Sequence, residues 1–231
     1  PQQTVFYSEE KDRQIPAWIY GQSTEAKHRS LIIISHGYGV SALEYTYIAN
    51  HLANQGCIVV SIQHDLPSDP PLATNGNLYQ TRMPAWTKGI ENINNTLSEL
   101  AQTGVANHPI VLIGHSNGGD MSTLFAHKHP EKLAAVITLD HRRVRIPPAP
   151  PHGFLSIRSE EFSSDLRFLP TEPFNIHNEK INVLTIQNSK HIDFTDSGPI
   201  PVQTQVISHI EQFLAKHLLI DSPSATDTSN P

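Results

Sequence analysis

Cysteine is almost absent from this sequence: Cys57 stands alone among 231 residues. One thiol cannot close a disulfide within the chain, so the fold must rest on its apolar core, and cysteine usage leaves the redox compartment open. Long apolar runs are missing as well. None approaches the roughly 20 residues that a spanning helix needs, which argues against stable membrane insertion. Basic charge is scarce: Lys and Arg number 16 against 22 Asp and Glu, a formal net charge of −6. No basic footprint therefore marks a nucleic-acid partner. The chain opens at Pro1 without a charged-then-apolar leader. Two expectations follow, a soluble cytoplasmic protein or one exported after removal of a leader.

What is present describes a globular protein. Hydrophobic residues make up 38% of the chain and charged residues 16%, enough to bury one sizeable core. One domain is expected over residues 1–220, followed by a polar, disordered tail at 221–231. Short β-rich runs alternate with longer helical stretches, the pattern of an α/β protein. Residues 4–8 and 15–20 read as an opening antiparallel pair. Runs at 31–35, 57–63, 110–114, 133–139, 154–158 and 183–187 read as core strands, most of them apolar on both faces, as parallel strands covered by helices are. Helical patterns fall at 41–55, 87–102 and 202–219. The first opens on Ser41 with Glu44 three residues later, a capping box, and stops at Gly56. Two segments break the rhythm: 66–84, rich in proline, asparagine and glycine, and 146–151, which reads IPPAPP.

The chemistry begins at PIVLIGHSNGG, where a buried strand breaks into Gly114-His115-Ser116-Asn117-Gly118. This is G-x-S-x-G between a strand and a helix, the setting in which a tight turn lifts a serine hydroxyl above a sheet. Glycine-rich strand-to-helix turns also hold phosphates, but no lysine follows these glycines as a phosphate loop requires. A serine at its free pKa is a weak nucleophile, so a base and an oxyanion site must lie elsewhere. The strand LIIIS ends in His36-Gly37-Tyr38-Gly39, a loop suited to supplying backbone donors. The N–H groups of Tyr38 and Asn117 are assigned to the oxyanion hole, with His36 bracing the loop.

The base must come late. The sequence holds 14 histidines, and His191 alone follows the last strand on a loop able to fold back over Ser116. His177, His209 and His217 fall in a loop or the terminal helix, and His127 and His129 at a helix end. No set of histidines and carboxylates has metal-ligand spacing. For the third member, Asp140 ends the strand LAAVITLD, while Glu160 or Glu161 ends the next, FLSIRSEE. Either could orient the imidazole, and spacing alone does not separate them.

Together these segments resemble the α/β-hydrolase fold, and in particular the platelet-activating-factor acetylhydrolase-like serine esterases, over about residues 31–196. LIIISHGYG resembles that family's S-H-G-x-G loop and GHSNGG its nucleophile turn. ITLD is similar to the strand whose terminal aspartate is catalytic, FLSIRSEEF to a strand carrying a non-catalytic S-E-x-F, and KHIDFTD to the H-x-x-F-x-D segment around the catalytic histidine. The resemblance implies a mostly parallel sheet of about eight strands with helices on both faces and no large lid. It also implies a Ser116–His191–Asp140 triad, with Glu160 as the alternative acid, and no cofactor or metal. After Asp140 the chain departs from the larger relatives, reading His141-Arg142-Arg143-Val144-Arg145 where they place an aromatic. That basic run is either a solvated loop or an attractor of an anionic substrate group. Membrane-docking helices have no counterpart, which argues against a phospholipid substrate, and the insertions are too short for a large lid, so small or short-acyl esters are expected rather than long lipids. Tyr38, segment 66–84 with Trp86, and Phe194 are candidate pocket walls. The same residues would serve an amidase, peptidase or acyltransferase, and a non-catalytic binding protein of this fold is a further alternative. The sequence leaves the oligomeric state open, and a monomer is compatible with it.

Overall fold

The computed structural model describes residues 1–8, 12–21, 30–103, 108–148, 150, 153–170 and 180–218. The expected tail at 221–231 and His177 lie outside these. The strands are β1 (Gln2–Ser8), β2 (Arg13–Tyr20), β3 (Leu31–Ser35), β4 (Ile58–Ile62), β5 (Ile110–His115), β6 (Ala135–Leu139), β7 (Gly153–Ser159) and β8 (Ile181–Ile186). They form one eight-stranded sheet in the order β1-β2-β4-β3-β5-β6-β7-β8. β1 and β2 pair antiparallel and β2 joins β4 antiparallel, whereas every pairing from β4 to β8 is parallel.

The central parallel strands are largely apolar because both faces are covered. Alternate side chains feed two cores. Ile33, Val60, Leu112 and Val136 pack on one side with Trp86, Ile90, Ile93, Met121 and Phe125. These partners lie on α2 (Leu78–Gln102) and α3 (Asn117–Lys128). Ile32, Ile34, Ile113 and Ile137 face the other way, against Ile48 and Leu52 of α1 (Thr46–Asn54) and Val206, Ile210 and Phe213 of α4 (Ile200–Leu218). Burying each such side chain contributes about 1.5–3 kcal/mol before chain entropy is charged against it.

Helix starts differ from the sequence expectation. The pattern at 41–55 becomes helical only at Thr46. Ser41 opens a turn instead, its hydroxyl accepting the N–H of Leu43. The capping group comes from far along the chain: the Asp196 carboxylate accepts the N–H groups of Thr46 and Tyr47, both at 3.0 Å. The second helix begins at Leu78, not 87, and so absorbs part of the irregular segment 66–84. Asn77 caps it through Gln80, and Pro84 sits inside it. One proline removes a single backbone bond, and the buried face from Trp86 to Leu100 outweighs that loss. The last helix starts at Ile200, with Pro201 in the first turn where a missing N–H costs nothing.

The order of strands reverses at β3, and the C-terminal ends of the parallel strands open into the crevice where α/β sheets place their ligands. No described helix is long and apolar enough to cross a membrane.

Candidate active site

Each singled-out residue leaves the sheet at a C-terminal strand end. Ser116 follows β5 and precedes α3, with φ 53° and ψ −115°, a conformation that side-chain-bearing residues rarely adopt. The flanking glycines make that turn possible. A Cβ on Gly114 would lie 2.3 Å from the Gly118 carbonyl oxygen, and one on Gly118 would lie 2.2 Å from the carbonyl oxygen of Ser35. Only hydrogen fits at either position, so β5, the turn and the end of β3 close directly on one another.

His191, the expected base, comes from the far end of the chain. His191 begins a short 3-10 turn, His191–Phe194, after β8. Its Nε2 lies 2.8 Å from Ser116 Oγ and its Nδ1 lies 2.6 Å from Asp140 Oδ2. Asp140 follows β6 with φ 54° and is fully buried. Its carboxylate also accepts from Ser159, from the N–H at 3.1 Å and the hydroxyl at 2.8 Å, and the Arg158 guanidinium lies 3.7 Å away. Burial by itself would raise the Asp140 pKa. The hydrogen bond from His191, the Arg158 charge and the Ser159 hydroxyl outweigh it and leave the pKa below the ordinary carboxylate value. An ionised Asp140 can only accept, so Nδ1 of His191 carries the proton and Nε2 is free to accept from Ser116.

Glu160 lies elsewhere. Its carboxylate accepts the N–H of Asn188, while Glu161 accepts the backbone N–H of His191 and steadies the imidazole's own residue. Of the two acids that spacing left open, Asp140 is therefore the one within reach of the ring.

A second network lies beneath. The Tyr45 hydroxyl accepts the N–H of Gly37 at 3.0 Å and meets His115 Nδ1 at 2.8 Å, and His115 Nε2 meets the His191 carbonyl at 3.0 Å. Burial, then the His191 charge, push the His115 pKa down to about 3, so its ring is neutral. Tyr45 therefore donates to Nδ1 and Nε2–H donates to the carbonyl, which ties the loop after β3 to the histidine turn. His36 braces that loop as expected, meeting the carbonyl of Gly37 through Nδ1 and accepting the N–H of His64 on Nε2. Asn117 is the first residue of α3, where backbone N–H groups lack helical partners, and its side chain accepts from Trp86 Nε1 at 2.8 Å. Tyr38 is 45% exposed at the mouth, with its hydroxyl accepting from Leu72. Trp86 and Phe194 are fully buried. They support the site from below and are not open walls, because one braces Asn117 and the other packs edge-on to His115.

Known proteins share this architecture. Esterase 2 of Thermogutta terrifontis superposes with a TM-score of 0.70 at 14% identity, covering 97% of each chain. A soluble variant of monoglyceride lipase from Saccharomyces cerevisiae gives 0.64 at 13% identity, covering 94% of this chain and 97% of its own. The chain has the α/β-hydrolase fold. Within this α/β-hydrolase-fold protein, a family model described as "Serine aminopeptidase, S33" matches residues 26–140, from before β3 to Asp140. Chloroplastic chlorophyllase-1 of Citrus unshiu and of Citrus sinensis are each 32% identical over 111 residues, 48% of this chain. The matched stretch spans only 32% of those relatives' length.

Tyr45, Arg158, Ser159 and Glu161 escaped the sequence reading as supporting groups. One signal was available. Arg158 interrupts an otherwise apolar strand, FLSIRS, and a charge in a strand buried on both faces needs a partner.

Proposed function

We propose that the chain is a carboxylic ester hydrolase that works through an acyl-enzyme on Ser116. The observation that carries this reading is the unbroken line from Ser116 Oγ through the His191 ring to Asp140, with contacts of 2.8 and 2.6 Å. His191 takes the Ser116 proton on Nε2 as Oγ attacks the ester carbonyl. The new oxyanion accepts from the N–H groups of Tyr38 and Asn117, and Asp140 stabilises the imidazolium. Collapse breaks the bond to the alcohol oxygen, which receives the proton from His191. A water then gives its proton to His191, attacks the acyl carbon and releases the acid and the free serine.

The structural likeness to esterases and a lipase, together with the chlorophyllase relatives, supports the ester-hydrolase class. The ITLD and KHIDFTD segments support a place among the platelet-activating-factor acetylhydrolase-like esterases. The lack of a large lid among the described residues favours small or short-acyl substrates. A peptidase reading has its own support in the serine aminopeptidase family model.

A series of 4-nitrophenyl esters of rising acyl length, run beside the corresponding anilides, tests the proposal. Short esters are expected to turn over with an acylation burst and to outpace anilides, and a fluorophosphonate is expected to label Ser116. Faster anilide turnover supports the peptidase instead. Absence of both turnover and labelling overturns the enzyme reading.

A further inference from the structure

A cleft of about 420 Å³ is lined by Arg142, Arg143, Arg145 and Arg167 together with Asn77 and Tyr79. Three of these cations come from the basic run that follows Asp140. A solvated basic loop would spread its charges into water, but this one is braced. Val144 and Ile146 are buried as apolar anchors while Arg145 between them is exposed. The buried Asp120 of α3 accepts the N–H groups of Arg143 and Val144 at 2.8 and 2.9 Å, and the N–H of Ile146 donates to the Phe168 carbonyl at 2.8 Å. The backbone is thus fixed by main-chain contacts, which leaves guanidiniums facing one concavity.

Their charge is incompletely balanced. Arg167 pairs with Asp165 at 2.6 Å, and Arg143 lies 3.7 Å from Asp120. Arg142 and Arg145 have no carboxylate within ion-pair distance among the described residues. Arg142 stacks over the Phe162 ring at 3.9 Å, and Arg145 donates to the Leu169 carbonyl. Burial and then the Arg143 charge push the Arg142 pKa below its ordinary value, as expected where like charges converge.

Two lining residues connect through an intervening ring to the residues around Ser116. Phe162, under Arg142, meets the His191 ring edge-on at 5.5 Å. Tyr79 meets the Trp86 ring at 5.7 Å, and Trp86 holds Asn117. We infer that this arginine cleft is a substrate subsite for an anionic oxygen group, carboxylate or phosphate, borne by the ester on a short tether. The inference rests on the hydrolase reading for its link to turnover, since forked guanidiniums are suited to holding such groups bidentately.

Two pairs of esters test it, one for each side of the scissile bond. Mono-4-nitrophenyl adipate is compared with 4-nitrophenyl hexanoate, and 4-acetoxybenzoate with phenyl acetate. In at least one pair the anionic ester is expected to have the higher kcat/KM. The anionic-to-neutral ratio should fall by about tenfold in Arg142→Gln, in the exposed Arg145→Gln and at high salt. Turnover of the neutral esters reports the hydrolase reading by itself. Calorimetry with adipate and with inorganic phosphate on the Ser116→Ala protein reports the subsite even if no ester is cleaved, and shows which anion it takes. Anion binding that weakens in Arg145→Gln supports the subsite. The inference is overturned if no anionic ester is preferred and neither anion binds, or if preference and binding are unchanged by both arginine substitutions.

Discussion

Asp140 carries more constraints than any other residue at the site. It is a non-glycine residue at positive φ, fully buried, and its two oxygens serve His191 and Ser159 beside the Arg158 charge. Exchanging the carboxylate for an amide keeps the shape but removes the ionic acceptor that fixes the proton on Nδ1. Asp140→Asn is therefore expected to lower kcat by about 10⁴-fold. Glu160→Gln should stay within about twofold, because that carboxylate serves only a turn at Asn188. Steady-state turnover of 4-nitrophenyl acetate by the two variants decides the assignment, and a larger loss in Glu160→Gln would reverse it. Spacing alone did not separate the two acids, because each ends a strand and the two strands are neighbours in the sheet; only the family resemblance favoured Asp140. What separates them is direction: the turn at Asp140 sends its carboxylate to the ring, while Glu160 faces Asn188.

At the scale of elements, the site is held by contacts between segments distant in sequence. Asp196 caps α1 from 150 residues away, and Tyr47 of that helix donates to the carbonyl of Phe194 in the histidine turn. Asp196→Ala should lower stability by about 1–2 kcal/mol in urea unfolding, with Asp196→Asn retaining most of the cap. Equal effects of the two substitutions would mean that charge, not capping, is what the helix needs. Tyr45 links the loop after β3 to His115 and so to the His191 carbonyl. Tyr45→Phe leaves two buried groups without a partner and is expected to cost about 1–3 kcal/mol. It should also lower kcat more than it raises KM, because the loop it releases carries the Tyr38 N–H proposed for the oxyanion hole. A rise in KM alone would place Tyr45 in binding instead. The core strands were legible because burial on both faces writes an unbroken apolar run, and the nucleophile turn was legible because only glycine fits around it. The start of α1 was not, since a local serine and glutamate mimicked a cap that a distant aspartate provides. Nor was the start of α2, where Pro84 reads as a stop and the buried face overrides it.

Across the whole molecule, neutral histidines sit in the layer of strand ends beneath the site. His115 and His141 are fully buried, and burial is the main reason that both pKa values fall to about 3. The His191 charge adds to it at His115 and the Arg158 charge at His141. His36 and His64 are lowered by burial too. A base with a folded pKa below its unfolded value of about 6.5 takes up its proton first in the unfolded chain. Stability is therefore intact above about pH 6.5 and lost as pH falls toward 3, at about 1.4 kcal/mol per pH unit for each such histidine. Asp140, with its lowered pKa, adds a loss in the same direction, but only as pH falls below the ordinary carboxylate range. Between pH 7 and pH 5, His115 and His141 should each remove about 2 kcal/mol. His141 packs against the rings of Phe154 and Phe168, so His141→Phe preserves an aromatic ring there and removes one titration. Urea unfolding of both proteins at the two pH values provides the check. The variant should keep about 2 kcal/mol of what the parent loses on acidification, while an identical loss in both would show that His141 does not stay neutral in the fold.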